Sequence, residues 1–335
     1  MKSTKLKHIA EALGLVALAL VCSLNSVSAE PEAWIRENTD SLLERVRYTP
    51  RMALDLSEIV VNPPSEDWEM ARVSSVAAGP DGLIYVLHRP PPDADAVVVL
   101  DRSGNVKGSW GKELYSIPHS IRVDPSGNVW TVDAGNSHIY KFSPDGEQLL
   151  HINVGQMPDK EGQFRGAADI AFTSDGHFYV ADGYGNSRVL EYDAMGERIR
   201  EWGKLGRDEA KGGPGEFSIV HGIAIDNEDI IYVADRENGR IQRFERDGTY
   251  LGTWDGLGKV YALFFDGSVL WAGVQRLDQP NGSQGWLLRL NTDDGTVIDL
   301  IAVPETHSIS VTKQGEPLIG IRPNRVFRYQ HTPSP

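Results

Sequence analysis

The sequence predicts an all-β chain, a six-bladed β-propeller. Three observations carry this. An internal repeat returns at roughly 40–53 residues, the length of a four-stranded blade rather than of a helical solenoid unit. Each copy divides into four short runs rich in Val, Ile, Tyr, Trp and Phe, separated by Gly, Asp, Asn and Pro turns. Long amphipathic helices are absent, apart from a short one around Asp40–Val46.

The N-terminus reads as a secretory signal over residues 1–29. Lys2, Lys5 and Lys7 form its basic start, and Ala12 to Cys22 is an apolar core too short to span a bilayer comfortably. Val27-Ser28-Ala29 offers small residues for cleavage before Glu30. Cys22, the single cysteine, lies in this segment, and Val21 stands where lipidation calls for a small residue. The exported chain then has no disulfide, so its stability must come from a large core and ring closure. Its formal charge of -14 becomes -14 - 2 = -16 once three Lys and one Glu leave with the signal. That acidity argues against nucleic acid or an anionic membrane as partner.

Residues 30–51 form an N-terminal extension, 52–331 the propeller and 332–335 a tail. The best-matched copies are Ile121–Asp133 and Ile223–Asp235, followed by Ile170–Asp182 and a degenerate Val76–His88. Leu263–Gly273 and Ile309–Ile321 are weaker. The copies start near residues 74, 119, 168, 221, 260 and 307. In the copy at His119 the four strands are Ser120–Val123, Val129–Val132, His138–Phe142 and Gln148–Ile152. The last copy stops after a third strand at Arg325–Tyr329. A strand within Met52–Val61 supplies the fourth, joins the chain ends and covers open edges.

Nine histidines occur in the chain, and three share one repeat position: His119, His221 and His307. Each sits eight residues before a turn, at Gly127, Asp229 and Gly315. A closed ring carries equivalent positions around one axis. Three imidazoles with an open fourth position is the layout of a catalytic zinc site. The bland alternative is a polar residue merely tolerated there, since Ser74 and Ala168 hold the matching positions elsewhere. Asp133, Asp182 and Asp235, with Asn136, Asn186 and Asn238, read as turn-satisfying groups. Arg188 and Arg240 follow the same rhythm and read as contacts between blades. Arg236 breaks it, because Ala134 and Gly183 hold its place in other copies. The loop after a blade's second strand shares a face with the histidines, which places Arg89, Tyr184 and Arg236 beside them.

The stretches Asp182-Gly-Tyr-Gly-Asn-Ser-Arg188 and Ala234-Asp-Arg-Glu-Asn-Gly-Arg-Ile-Gln242 resemble the peptidyl-α-hydroxyglycine α-amidating lyase family. The likeness runs from about His88 to Tyr329. It implies an NHL-repeat propeller, with His119, His221 and His307 as zinc ligands, Tyr184 as the catalytic tyrosine, and Arg89 and Arg236 as active-site arginines. The implied reaction cleaves the N–C bond of an α-hydroxyglycine, releasing an amide and glyoxylate. Zinc would bind and acidify the substrate hydroxyl, Tyr184 would take its proton, and the arginines would hold the carboxylate.

The departures from the family are specific. Glu305-Thr306 replaces Met-Pro before the third histidine. Ser308 replaces an aspartate that helps bind a structural calcium near the axis, which leaves calcium doubtful, although Ile121 could offer a carbonyl. Gly185 stands where the family has a loop cysteine. The partner implied is a small-molecule or peptide substrate carrying an α-hydroxyglycine-like group. Two rivals remain at this level: a non-catalytic propeller that binds a ligand or protein with its top face, and an ester or lactone hydrolase.

Overall fold

The structure, a computed structural model, describes residues 32–155, 164–206 and 212–331. The expected signal segment and the 332–335 tail lie outside them. The β-branched and aromatic runs form six antiparallel four-stranded sheets. Blade 1 spans Arg72–Trp110, blade 2 Pro118–Asn153, blade 3 Asp169–Trp202, blade 4 Val220–Trp254 and blade 5 Lys259–Val303. Within each, strand order follows chain order, so neighbouring strands are joined as antiparallel hairpins.

Blade 6 is composite. Its inner three strands come from Ser310–Val311, Pro317–Ile321 and Arg325–His331, and its outer strand, β1, is Leu54–Ile59. The register runs from Leu54 opposite His331 to Ile59 opposite Val326. The ring is thus closed by pairing the two ends of the propeller, as the missing fourth strand predicted.

Alternation along the strands buries one apolar cluster at each blade-to-blade interface. Trp130, Val132 and Ile139 of blade 2 pack on Ile170, Phe178 and Val180 of blade 3. Between blades 6 and 1, Leu318 and Val326 meet Val73, Val76 and Val86. Fully burying such side chains stabilises by about 1.5–3 kcal/mol each, so every blade depends on both neighbours.

Two sequence expectations need correction. The helix around Asp40–Val46 is longer: α1 runs Ala33–Tyr48. Leu42 and Val46 bury into the interface of blades 4 and 5, beside Trp254, Leu257 and Val260. The amide of Asn38 bonds both ways, donating to Gly239 O and accepting from Gly258 N–H, each at 2.9 Å. The propensity pattern is weak there, and tertiary packing decides. Arg188 and Arg240, in turn, make their described ion pairs within their own blades. Arg188 binds Asp182 and Glu201 of its own blade. Arg240 binds Asp235 of its own blade and the carbonyls of Gly212, Gly213 and Glu216 in the preceding loop. A strand arginine reaches its own hairpin partner more readily than the next sheet.

Asp133 and Asp235 hold turn backbone as read, whereas Asp182 binds the side chains of Asn186 and Arg188. Asp133 accepts four backbone N–H groups, from Ser116, Ile117, Gly135 and Asn136. Asp235 holds Ser218 N–H, Asn238 and Arg240. Gly127, Asp229 and Gly315 all take positive φ, as the shared turn requires.

Candidate metal centre and active site

His119 and His221 lie in the innermost strands of blades 2 and 4; His307 precedes the short innermost strand of blade 6. The ladder slips at this step in four blades, at Ser74, His119, His221–Gly222 and Tyr261. A bulge leaves a residue out of the ladder and re-aims it. Here it turns side chains and carbonyls toward the axis.

The result is an alternation. Blades 2, 4 and 6 supply imidazoles, and blades 1, 3 and 5 supply carbonyls that receive them. His119 Nδ1 donates to Ala168 O at 2.7 Å, His221 Nδ1 to Tyr261 O at 2.6 Å and His307 Nδ1 to Ser74 O at 3.0 Å. A carbonyl can only accept, so each Nδ1 carries the proton and each neutral ring presents a lone pair on Nε2. Burial holds the rings neutral: it pushes His119 down to about 3, with the Arg89 charge adding to it, and drives His221 and His307 well below the ordinary value.

The three ligand atoms lie within 4.8 Å of one another, and the ring centroids are 4.8–5.1 Å apart. That is wider than the ~4 Å expected from zinc–nitrogen bonds of about 2.0–2.1 Å, so binding would draw the rings inward. Tyr184 Oη stands between two of them, 3.0 Å from His119 Nε2 and 3.0 Å from His221 Nε2. Both nitrogens are acceptors, and the phenol has one proton. One of these contacts therefore sets lone pair against lone pair, which a shared cation would relieve. The donor set thus fits a zinc-type ion: three neutral imidazoles with an oxygen beside them.

Tyr184 reaches this point because the chain bends at Gly183, where a Cβ would sit 1.9 Å from Val220 O of the next blade. Burial raises the Tyr184 phenol, while the charges of Arg236 and Arg89 pull it back. Arg236 is buried on a single 3₁₀ turn, Arg236–Asn238, with its guanidinium 5.7 Å from the Tyr184 ring centroid and 5.1 Å from that of Tyr261. Its Nε binds Glu237 at 2.8 Å. Arg89 Nε binds Ser74 Oγ at 2.7 Å and Pro118 O at 3.2 Å. All six sequence-selected residues therefore gather at one end of the axis. Arg89, Tyr184, Arg236 and His307 line a cavity of about 320 Å³ there, and His119 and His221 form its floor through their contacts with Tyr184.

Sequence reasoning missed two walls of this cavity. Phe164 packs on Tyr184 with ring centroids 5.0 Å apart and lies under the Arg89 guanidinium at 5.3 Å; it stands four residues before Ala168, as Tyr115 does before His119 and Phe217 before His221, so the repeat register could have found it. Tyr261 packs on His221 and occupies the histidine-equivalent step of blade 5. The repeat register could have found it. Ser74 and Ala168 were read only as places where histidine is dispensable, whereas their carbonyls fix the ring tautomers.

Calcium does not fit the axis. Below the histidines the guanidinium of Arg122 holds Asp169 bidentately and donates to Ile309 O and Leu263 O, each at 3.0 Å. Asp169 also accepts from Ser120 Oγ and Ile223 N–H. One ion pair thus ties five blades, and a side-chain cation already serves the axial carbonyls.

The NHL repeat family matches residues 164–192 and 217–244, parts of blades 3 and 4. Peptidyl-α-hydroxyglycine α-amidating lyase 1 of Drosophila melanogaster is 34% identical over 174 residues, covering 49% of this chain and 32% of that one. Lyase 2 of the same organism is 28% identical over 220 residues, covering 57% and 52%. The match thus spans about a third to a half of these relatives. A streptogramin B lyase structure superposes with a TM-score of 0.57 at 16% identity, over 83% of this chain and 98% of that one, a likeness of fold alone. By sequence and by fold, this chain is an NHL-repeat six-bladed β-propeller and a relative of the peptidyl-α-hydroxyglycine α-amidating lyases.

Proposed function

We propose that this protein is an exported, zinc-dependent carbon–nitrogen lyase that cleaves α-hydroxyglycine-type amides to a carboxamide and glyoxylate. One observation carries the reading: three carbonyl-locked imidazoles present their Nε2 lone pairs to a single point that also receives Tyr184 Oη. The names of the relatives support the lyase class, and the basic, then apolar N-terminus supports export.

His119, His221 and His307 would hold the zinc, which supplies Lewis acidity and lowers the pKa of a bound oxygen. Arg89 and Arg236 receive the substrate carboxylate as charge-assisted donors. Tyr184 Oη takes the proton of the α-hydroxyl, and the oxygen's electron pair forms the glyoxylate carbonyl as the C–N bond breaks. Oη then returns the proton to the departing amide nitrogen, which balances the reaction without a co-reactant. Taking that proton requires the Tyr184 phenolate; burial disfavours it, so this role needs the positive charge of Arg89, Arg236 and the bound ion to hold the phenol ionised. Phe164 and Tyr261 keep bulk water from the reacting atoms.

The test is glyoxylate release from α-hydroxyhippurate and a panel of related α-hydroxy amides, before and after chelation and zinc repletion. Zinc-loaded protein that neither turns over nor binds any of them would favour the non-catalytic propeller.

A further inference from the structure

The active-site cavity carries more positive charge than the proposed reaction uses. Four arginines line it: Arg72, Arg89, Arg236 and Arg322. Two are balanced within the fold. Arg236 has Glu237 at 2.8 Å. Arg322 forms an ion pair through Nε with Glu305, whose carboxylate also accepts the Arg322 backbone N–H at 2.9 Å. Arg72 has no carboxylate partner among the described residues, and Arg89 is held by neutral acceptors.

The surplus is on one wall. Arg72 pairs with Arg89 across the two inner strands of blade 1, and Arg322 projects from the adjoining blade 6. The Arg322 guanidinium lies against Gly282 at the rim. Glu305 occupies its Nε, and its two Nη groups have no acceptor among the described residues. The crowding registers on Arg89: burial, then the charges of Arg72 and Arg322, lower it to about 10 against the opposing pull of Tyr184 and Asp133. A hydroxyglycine carboxylate neutralises one of the two unbalanced charges and leaves the other. In a chain of formal charge -14 such a wall is no general surface property.

We propose that the substrate is a dianion, with a second carboxylate-type group on the acyl side of the scissile bond that Arg72 and Arg322 receive. This rests on the lyase reading above. Glu305, in place of an apolar residue, then positions Arg322 so that its free fork faces the ligand.

The test compares N-succinyl-α-hydroxyglycine, a dianion, with its monoanionic amide analogue, N-succinamoyl-α-hydroxyglycine, on zinc-loaded protein. The acid should have a kcat/KM at least about tenfold higher, the scale of one charge-assisted hydrogen bond. The ratio should fall toward unity in Arg72→Gln and in Arg322→Gln. Arg72 has no carboxylate partner to strand, so its variant keeps the test valid if Arg322→Gln, which leaves Glu305 buried and unpaired, fails to fold. Calorimetric titration with glutarate and with butyrate reads the same wall without turnover: glutarate should bind at least about tenfold more tightly, and the variants should lose that margin. A wild-type ratio near one in both assays, or a preference the variants leave intact, overturns the proposal. Glutarate preference without release of glyoxylate from any amide would uphold the dianion site and sink the lyase.

Discussion

Two cation stations share the propeller axis, and they are built in opposite ways. At the upper one, three neutral imidazoles and a phenol oxygen converge with too few protons to satisfy them. At the lower one, Arg122 brings its own positive charge to Asp169 and to two carbonyls. The upper station is completed from outside and is open to the cavity. The lower is complete within the chain and nine-tenths or more buried at both Arg122 and Asp169. The contrast teaches a division of labour: dependence on an added ion is confined to chemistry, while the tie between blades at the axis is carried by a side chain.

His221→Ala tests the upper station most severely. It should abolish zinc binding and activity together while the unfolding transition stays cooperative, at a cost of about 1–3 kcal/mol because Tyr261 O of blade 5 loses its imidazole donor. Zinc retained at the wild-type level by elemental analysis would sink the three-histidine assignment. Tyr184→Phe should keep zinc and fold but lose about 10²–10⁴-fold in kcat, the usual contribution of a positioned acid–base group. A loss under about threefold would move Tyr184 from proton transfer to packing.

At the lower station, Arg122→Ala should cost about 3–5 kcal/mol of stability, since it leaves Asp169 buried without its partner. Denaturant midpoints with unchanged slope would measure this. Adding calcium to chelated wild-type protein should shift its stability by less than about 0.5 kcal/mol, as expected of a ligand with no site. A clear stabilisation by calcium would contradict the idea that Arg122 occupies the axial place.

The difference between the stations also explains what the sequence made legible. The upper one repeats: His119, His221 and His307 share a step that register alone exposes, and ring closure then brings them together. Tyr184 and Arg236 were visible as departures from that register on a known face. Invisible were the bulges at Ser74 and Tyr261 that turn their carbonyls toward the rings, because a bulge depends on how two strands pair and not on either alone. Arg122 and Asp169 are single deviations in different copies, and nothing in sequence links residues 47 apart as an ion pair. The full length of α1 was hidden for a related reason: it is fixed by contacts with blades far away in the chain.

That last contact yields the smallest effect and the finest test. Asn38 of α1 donates to Gly239 O, and Gly239 N–H closes the turn onto Arg236 O. The helix thus anchors the single 3₁₀ turn that presents Arg236 to the cavity. Asn38→Ala removes two buried hydrogen bonds and should cost about 1–3 kcal/mol. A merely structural role would end there. If the helix also positions Arg236, KM for an α-hydroxyglycine amide should rise several-fold with zinc affinity unchanged, since the histidines stand on other strands. Arg45→Ala, which loses an exposed bond to Asp255 O on the same helix, is the control and should leave KM alone. Equal kinetics for the two variants at a temperature where both are folded would separate α1 from the active site and leave it a buttress of blades 4 and 5.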